Sequence, residues 1–180
     1  MIKTIKNNNV KTKLLTRDNE VFAELFNTFI FKKEVIDPDS LKEKDSNEVV
    51  SILNREYSKQ GYRDVLKEAH IKTDDNFAYL LLGIENKSAV HYAMPVRAMM
   101  YDALIYSKQI EQFAKKLRKQ KNGSVSKTEW LSGIRKDDII KPVITMVLYW
   151  SPNEWDGPKS LYDLMDKEVI KRYSQLIENY

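Results

Sequence analysis

Apolar residues recur at the helical period from Val21 to Ile30. Val21, Phe22, Leu25, Phe26, Phe29 and Ile30 make one wide face, and Glu24 and Asn27 flank it. Thr16 reads as the N-cap, because Asp18 and Glu20 follow in a first turn where negative charge suits the helix dipole; the helix runs to about Phe31. Asp37-Pro38-Asp39 is a turn. The charged stretch 40–60 holds a short apolar cluster, Val49, Val50, Ile52 and Leu53, that fits a short helix or a strand. Tyr62 to Ile71 reads as a strand, and Thr73-Asp74-Asp75-Asn76 supplies turn residues. Phe77 to Ile84 is apolar at both parities, so it is expected as a central strand covered on both faces and paired with Tyr62–Ile71 in a hairpin.

Pro95 opens a long helix whose stripe is Val96, Met99, Met100, Ala103, Ile110, Phe113, Ala114 and Leu117, ending near Lys119. Residues 121–126 form a loop, and Pro142 to Trp150 is the most strand-like segment of the chain. Turn residues follow at Ser151-Pro152-Asn153 and Asp156-Gly157-Pro158. A last helix starts at Lys159, with Leu161, Leu164, Met165, Ile170, Tyr173, Leu176 and Ile177 on its apolar side. Residues 1–15, rich in Lys and Asn, read as a mobile basic arm. The pattern therefore predicts an arm over 1–15 and one domain over 16–180 that holds both strands and helices.

Composition narrows the chemistry. With 180 residues and 42% hydrophobic there is material for one core. The absence of cysteine excludes disulfides, thiol nucleophiles and thiolate metal sites, so any metal must be held by oxygen or histidine. His70 and His91 have no partner at metal-ligand spacing. No apolar run approaches the roughly 20 residues that span a bilayer, and the expected location is the cytoplasm, with no membrane partner. The net charge of +4 permits nucleic acid as a partner. From Lys108 to Lys141 ten basic residues face four acidic ones, a local +6, with Lys115, Lys116, Arg118, Lys119 and Lys121 at its centre. Such a patch can track a phosphate backbone, and it is also an ordinary solvated helix end.

Side chains two apart on a strand point the same way, so Glu85 and Lys87 emerge together at the end of the central strand. The hairpin sets Asp64 on the neighbouring strand. Two converging carboxylates form a hard-oxygen site for Mg²⁺, with Mn²⁺ or Ca²⁺ as alternatives, and metal-activated water is what phosphodiester hydrolysis needs. Asp64 and Glu85 would hold the metal; Lys87 would orient water or offset developing charge. A Glu-x-Lys at a strand end is also a common surface ion pair. On the long helix, Asp102, Tyr106 and Gln109 fall at i, i+4 and i+7, a face that could line the floor of this site with Arg97 at its mouth. Glu24 and Asn27 are further candidate supports.

Several phrases go beyond pattern: Asp18 to Ala23 with Asn27, Arg63-Asp64-Val65-Leu66-Lys67, Gly83-Ile84-Glu85-Asn86, Tyr92 to Arg97, Tyr101-Asp102-Ala103 with Tyr106 and Gln109, and Tyr149-Trp150 with Trp155-Asp156-Gly157-Pro158. Together they resemble the recombination-promoting nuclease / putative transposase family of the PD-(D/E)XK phosphodiesterase superfamily, over residues 16–180. The resemblance implies a restriction-endonuclease-like α/β core, a mixed sheet flanked by helices, with Asp64, Glu85 and Lys87 matching the superfamily's Asp, Glu and Lys. Relatives often carry Gln at the position of Lys87, and Arg63 stands where the wider superfamily has Pro. Members usually extend beyond the position of Tyr180, so a C-terminal extension is expected to be missing. The implied function is a Mg²⁺-dependent DNA endonuclease linked to mobile elements or recombination, with a homodimer as a candidate assembly. The alternative is an inert DNA-binding or assembly module of the same fold.

Overall fold

The computed structural model describes residues 12, 14–44, 64–72, 77–119 and 125–177. The apolar cluster at 49–53, the turn at 73–76, most of the arm, Arg63 and Lys121 lie outside them.

Helix α1, Asn19–Phe26, buries Phe22, Ala23 and Phe26. Its N-cap is Asp18, whose carboxylate accepts from the N–H groups of Glu20 and Val21. The predicted cap, Thr16, is instead fully buried in a helical segment over 14–17, where its hydroxyl donates to the Thr12 carbonyl. A carboxylate next to the first turn is the stronger acceptor for orphan N–H groups. The helix continues as a π-turn, Asn27–Phe31, closed by Lys32 in the left-handed region at φ 56°. The wider turn rotates Phe29 and Ile30 outward, so these two predicted core residues are exposed.

Among the described residues four strands form one sheet in the order β1-β2-β3-β4. They are β1, Lys42–Glu43; β2, Val65–Lys72; β3, Phe77–Lys87; and β4, Val143–Tyr149. β2 and β3 pair antiparallel, with Val65 opposite Ile84 and Lys72 opposite Phe77, which is the predicted hairpin. β4 pairs parallel to β3, Glu85 beside Val147 and Lys87 beside Tyr149. A parallel neighbour needs a crossover, and helix α2, Met94–Lys119, supplies it.

The sheet is covered on both sides. One face packs Val65, Ala69, Leu80, Leu82, Ile84 and Met146 against Phe22, Phe26, Ile36 and Leu41; the other packs Leu66 and Leu81 against Tyr101, Leu104 and Ile105 of α2. Leu80, Leu81, Leu82 and Ile84 are all buried, as a central strand requires. The predicted α2 stripe holds in part, with Leu117 buried and Met100 packed against the sheet cluster, but Tyr101, Leu104 and Ile105 face the sheet, whereas Val96 and Ala103 are exposed. Methionines and alanines at the helical period marked a face, but the aromatic and branched residues one position away bury more area and set the rotation.

A short helix α3, Lys127–Ser132, follows a capping box in which Ser126 and Glu129 bond reciprocally, and it ends at Gly133 with φ 75°. The predicted C-terminal helix is broken. A 3₁₀ turn, Leu161–Leu164, gives way to extended Met165, and Asp166 caps a separate helix α4, Lys167–Tyr173. Two acids with cap geometry, Asp163 and Asp166, start two turns where the apolar spacing suggested one.

Candidate functional site

Register builds the site. Leu66 lies opposite Gly83 and Val65 opposite Ile84, so one further step sets Asp64 opposite Glu85 at the end of the hairpin. Both belong to the face covered by α2, by alternation from Leu66 and Leu81. Between them the backbone is tied: the Asn86 N–H donates to Asp64 Oδ2 at 2.7 Å. Two residues after Glu85, Lys87 places its ammonium 3.0 Å from Glu85 Oε2. Arg97, in the first turns of α2, brings Nε to 4.0 Å from the same oxygen and lays its guanidinium 5.2 Å from the Tyr101 ring.

Glu85 is 1% exposed, and Oε1 has no hydrogen-bond partner among the described residues. Lys87 is the nearest positive charge to Oε2. Burial pushes the Glu85 carboxyl above its ordinary value, and the nearby Asp64 adds to the rise; Lys87 and Arg97 pull the other way without cancelling it. A buried carboxyl with an oxygen left over and a second carboxylate beside it is a donor set that suits a hard cation. Among the described residues no group of three or more His, Cys, Asp or Glu gathers around one point. Two carboxylates alone among the described residues would suit an ion that keeps several waters.

Beside Glu85, on the same face, a cavity of about 360 Å³ is lined by Met94, Pro95, Val147, Tyr149 and Trp155, with Lys159 at its edge. On the opposite face of β3, Asn86 joins distant segments. Its amide nitrogen donates to Thr16 Oγ1 at 3.2 Å and its amide oxygen accepts from Trp150 Nε1 at 2.7 Å.

The family described as "Putative transposase, YhgA-like" matches residues 32–178. The chain belongs to that family. No curated protein and no solved structure matches it.

Within this YhgA-like chain, the remaining sequence-predicted supports lie elsewhere. Asn27 spends its side chain on the backbone after the π-turn: Oδ1 accepts from Val35 and Ile36 N–H at 2.9 and 2.8 Å, and Nδ2 donates to the Ile36 carbonyl. Glu24 is exposed on a surface cavity lined by α1 and residues 34–38. Neither reaches Glu85. Asp102, Tyr106 and Gln109 do share a face, but that face docks on β4 rather than flooring the site. Thr145 Oγ1 donates to Asp102 Oδ1 at 2.7 Å, the Val143 N–H to Tyr106 Oη at 3.1 Å, and Gln109 exchanges two hydrogen bonds with the Lys141 backbone. Lys115, Lys116, Arg118 and Lys119 are exposed on the last turns of α2. Nineteen residues separate Arg97 from Lys116, about 28 Å along the helix axis.

Two positions escaped the sequence reading. Asn86 was visible only as part of a phrase, because its three partners lie 22, 64 and 70 residues away. Glu68 carries no local signal, because its partners Lys44 and Lys141 lie 24 and 73 residues away. It is 7% exposed and bound by Lys141 at 2.7 Å and Lys44 at 3.0 Å.

Proposed function

We propose that this chain is a divalent-cation-dependent endonuclease that hydrolyses DNA phosphodiester bonds, with Asp64, Glu85 and Lys87 as the Asp, Glu and Lys of a PD-(D/E)XK site. The observation that carries this reading is the buried Glu85 carboxylate, set opposite Asp64 and beside Lys87, with Oε1 unpartnered among the described residues. A buried carboxylate is costly until something cationic and coordinating completes it. Asp64 and Glu85 would hold that cation, Mg²⁺ by the hardness of the donors, with Mn²⁺ or Ca²⁺ as substitutes. When bound, the metal supplies a more acidic water and charge neutralisation at the scissile phosphate.

The chain's own groups do the rest. Lys87 stands where it can orient the attacking water and offset charge that develops on the phosphate oxygens. Arg97, 4.0 Å from Glu85, adds a second positive charge at the same end of the sheet. The Asn86 N–H holds Asp64 in place, so that carboxylate is preorganised by backbone. Membership of a transposase-like family supports DNA as the substrate and a mobile-element or recombination setting.

The rival reading, an inert DNA-binding or assembly module, draws on the 1% exposure of Glu85. A plasmid assay separates them. Purified protein should nick or linearise supercoiled plasmid with Mg²⁺ and not with EDTA, and Glu85→Ala or Asp64→Ala should lower the rate by about 10²–10⁴-fold. Cleavage by Glu85→Ala at the wild-type rate would overturn the site; retention of DNA without any cleavage would favour the module.

A further inference from the structure

A second pocket lies on the α2 face of the sheet, toward the other end of β3. It has a volume of about 340 Å³, and four lysines line it: Lys44 from the chain after β1, Lys108 and Lys116 from α2, and Lys141 from the approach to β4. Against them stands one carboxylate, Glu68, which leaves a net charge of +3. Its floor and wall are apolar, built from Leu66, Leu81, Ile105 and Phe113.

Two features make this more than a group of surface lysines. Glu68 fixes two of the four: Lys141 lies 2.7 Å and Lys44 3.0 Å from Glu68 Oε2. Lys141 also sits 5.0 Å from the centre of the Tyr79 ring, which is 43% exposed. Two of the four ammonium groups are therefore held in position before any ligand arrives, and the negative charge that would oppose an anion is already engaged. The second feature is the combination of surfaces. An inorganic anion has no use for an apolar wall with an aromatic ring, and an apolar ligand has no use for four ammonium groups. A flat heteroaromatic ring joined to a phosphate uses both, the ring against Phe113 and the aliphatic wall, the phosphate among the lysines.

We propose that this pocket binds one nucleotide unit, phosphate to the lysines and base to the Phe113 wall. The unit could arrive as a free nucleotide or as an unpaired residue of a DNA strand, and the chemistry of recognition is the same. The pocket is separate from the carboxylate site, because Leu81 and Glu85 are four residues apart on β3, about 13 Å. Its occupancy does not depend on cleavage.

The test uses the full 180-residue chain in EDTA, which silences metal-dependent hydrolysis. Binding of dAMP, inorganic phosphate and a fluorescent single-stranded twelve-thymidine oligonucleotide is measured by calorimetry and polarisation. Free dAMP should bind, inorganic phosphate should bind at least tenfold more weakly, and Lys108→Glu should weaken dAMP at least tenfold. Phe113→Leu, checked by circular dichroism, should weaken dAMP while leaving phosphate unchanged. If dAMP fails but the oligonucleotide binds and loses tenfold in Lys108→Glu, the proposal holds with a strand nucleotide as the source. Phosphate competing as well as dAMP, equal binding by Lys108→Glu, or no binding of either probe overturns it. None of these results bears on plasmid cleavage, so each reading fails on its own evidence.

Discussion

Glu68 and Glu85 face the same side of one sheet, both are buried, and their carboxyls shift in opposite directions. Burial alone would raise Glu68, but hydrogen bonds and charge from Lys141 and Lys44 outweigh it and hold the pKa at about 2, against 4.5 for an ordinary glutamate. For Glu85 burial outweighs the pull of Lys87 and Arg97, and its pKa rises. The consequence for Glu68 can be measured. Its folded-state pKa is depressed, so its contribution is complete above about 4.5 and is lost as the pH falls toward about 2. The lysines are partly open to water, which limits the effect to about 1–2 kcal/mol. Urea unfolding of the wild type should lose that much between pH 5 and pH 2.5, and Glu68→Gln should flatten the profile over that window. An unchanged pH slope in Glu68→Gln would show that the ion pairs add nothing to stability.

At the level of elements, what could be read from the sequence was what alternates or repeats locally. β3 declared itself by apolar residues at both parities, its hairpin with β2 by the turn residues between them, and α2 by Pro95 and a helical stripe. Glu85, Lys87 and Asp64 came with them, because alternation and strand pairing place those side chains directly. The errors arose where a residue's partner is distant. Asn27, Tyr106 and Gln109 looked like site residues because they are polar beside apolar faces, yet each satisfies backbone groups 8 to 37 residues away. The broken C-terminal helix and the capping box of α3 were legible in Asp166 and in Ser126 with Glu129, had cap chemistry been weighed above apolar spacing. The docking role of the α2 face makes its own prediction. Gln109→Ala removes two hydrogen bonds to Lys141 and should cost about 1–3 kcal/mol in urea unfolding, with specific plasmid cleavage per folded molecule unchanged. A selective loss of cleavage with stability intact would return Gln109 to the site.

Across the whole molecule, the basic end of α2 and the Glu85 site are separated by a helix about 28 Å long from Arg97 to Lys116. That is the length of about eight base pairs, so a duplex held by the patch can extend to the carboxylates. The patch should contribute affinity without sequence reading: Lys115→Ala with Lys119→Ala should reduce the slope of log affinity against log salt by about 2 and weaken all duplexes alike. An unchanged slope would show that these lysines are only a solvated helix end. Asn86 adds a constraint of a different kind. The residue that holds Asp64 is itself held by Thr16 from one end of the domain and Trp150 from the other. During synthesis the β2–β3 hairpin can close early, but Trp150 emerges more than sixty residues after Asn86, on the far side of the α2 crossover. The hairpin alone brings Asp64 opposite Glu85, but Asn86 gains its Trp150 partner only once β4 has paired, so a chain arrested before β4 carries both carboxylates without that tie.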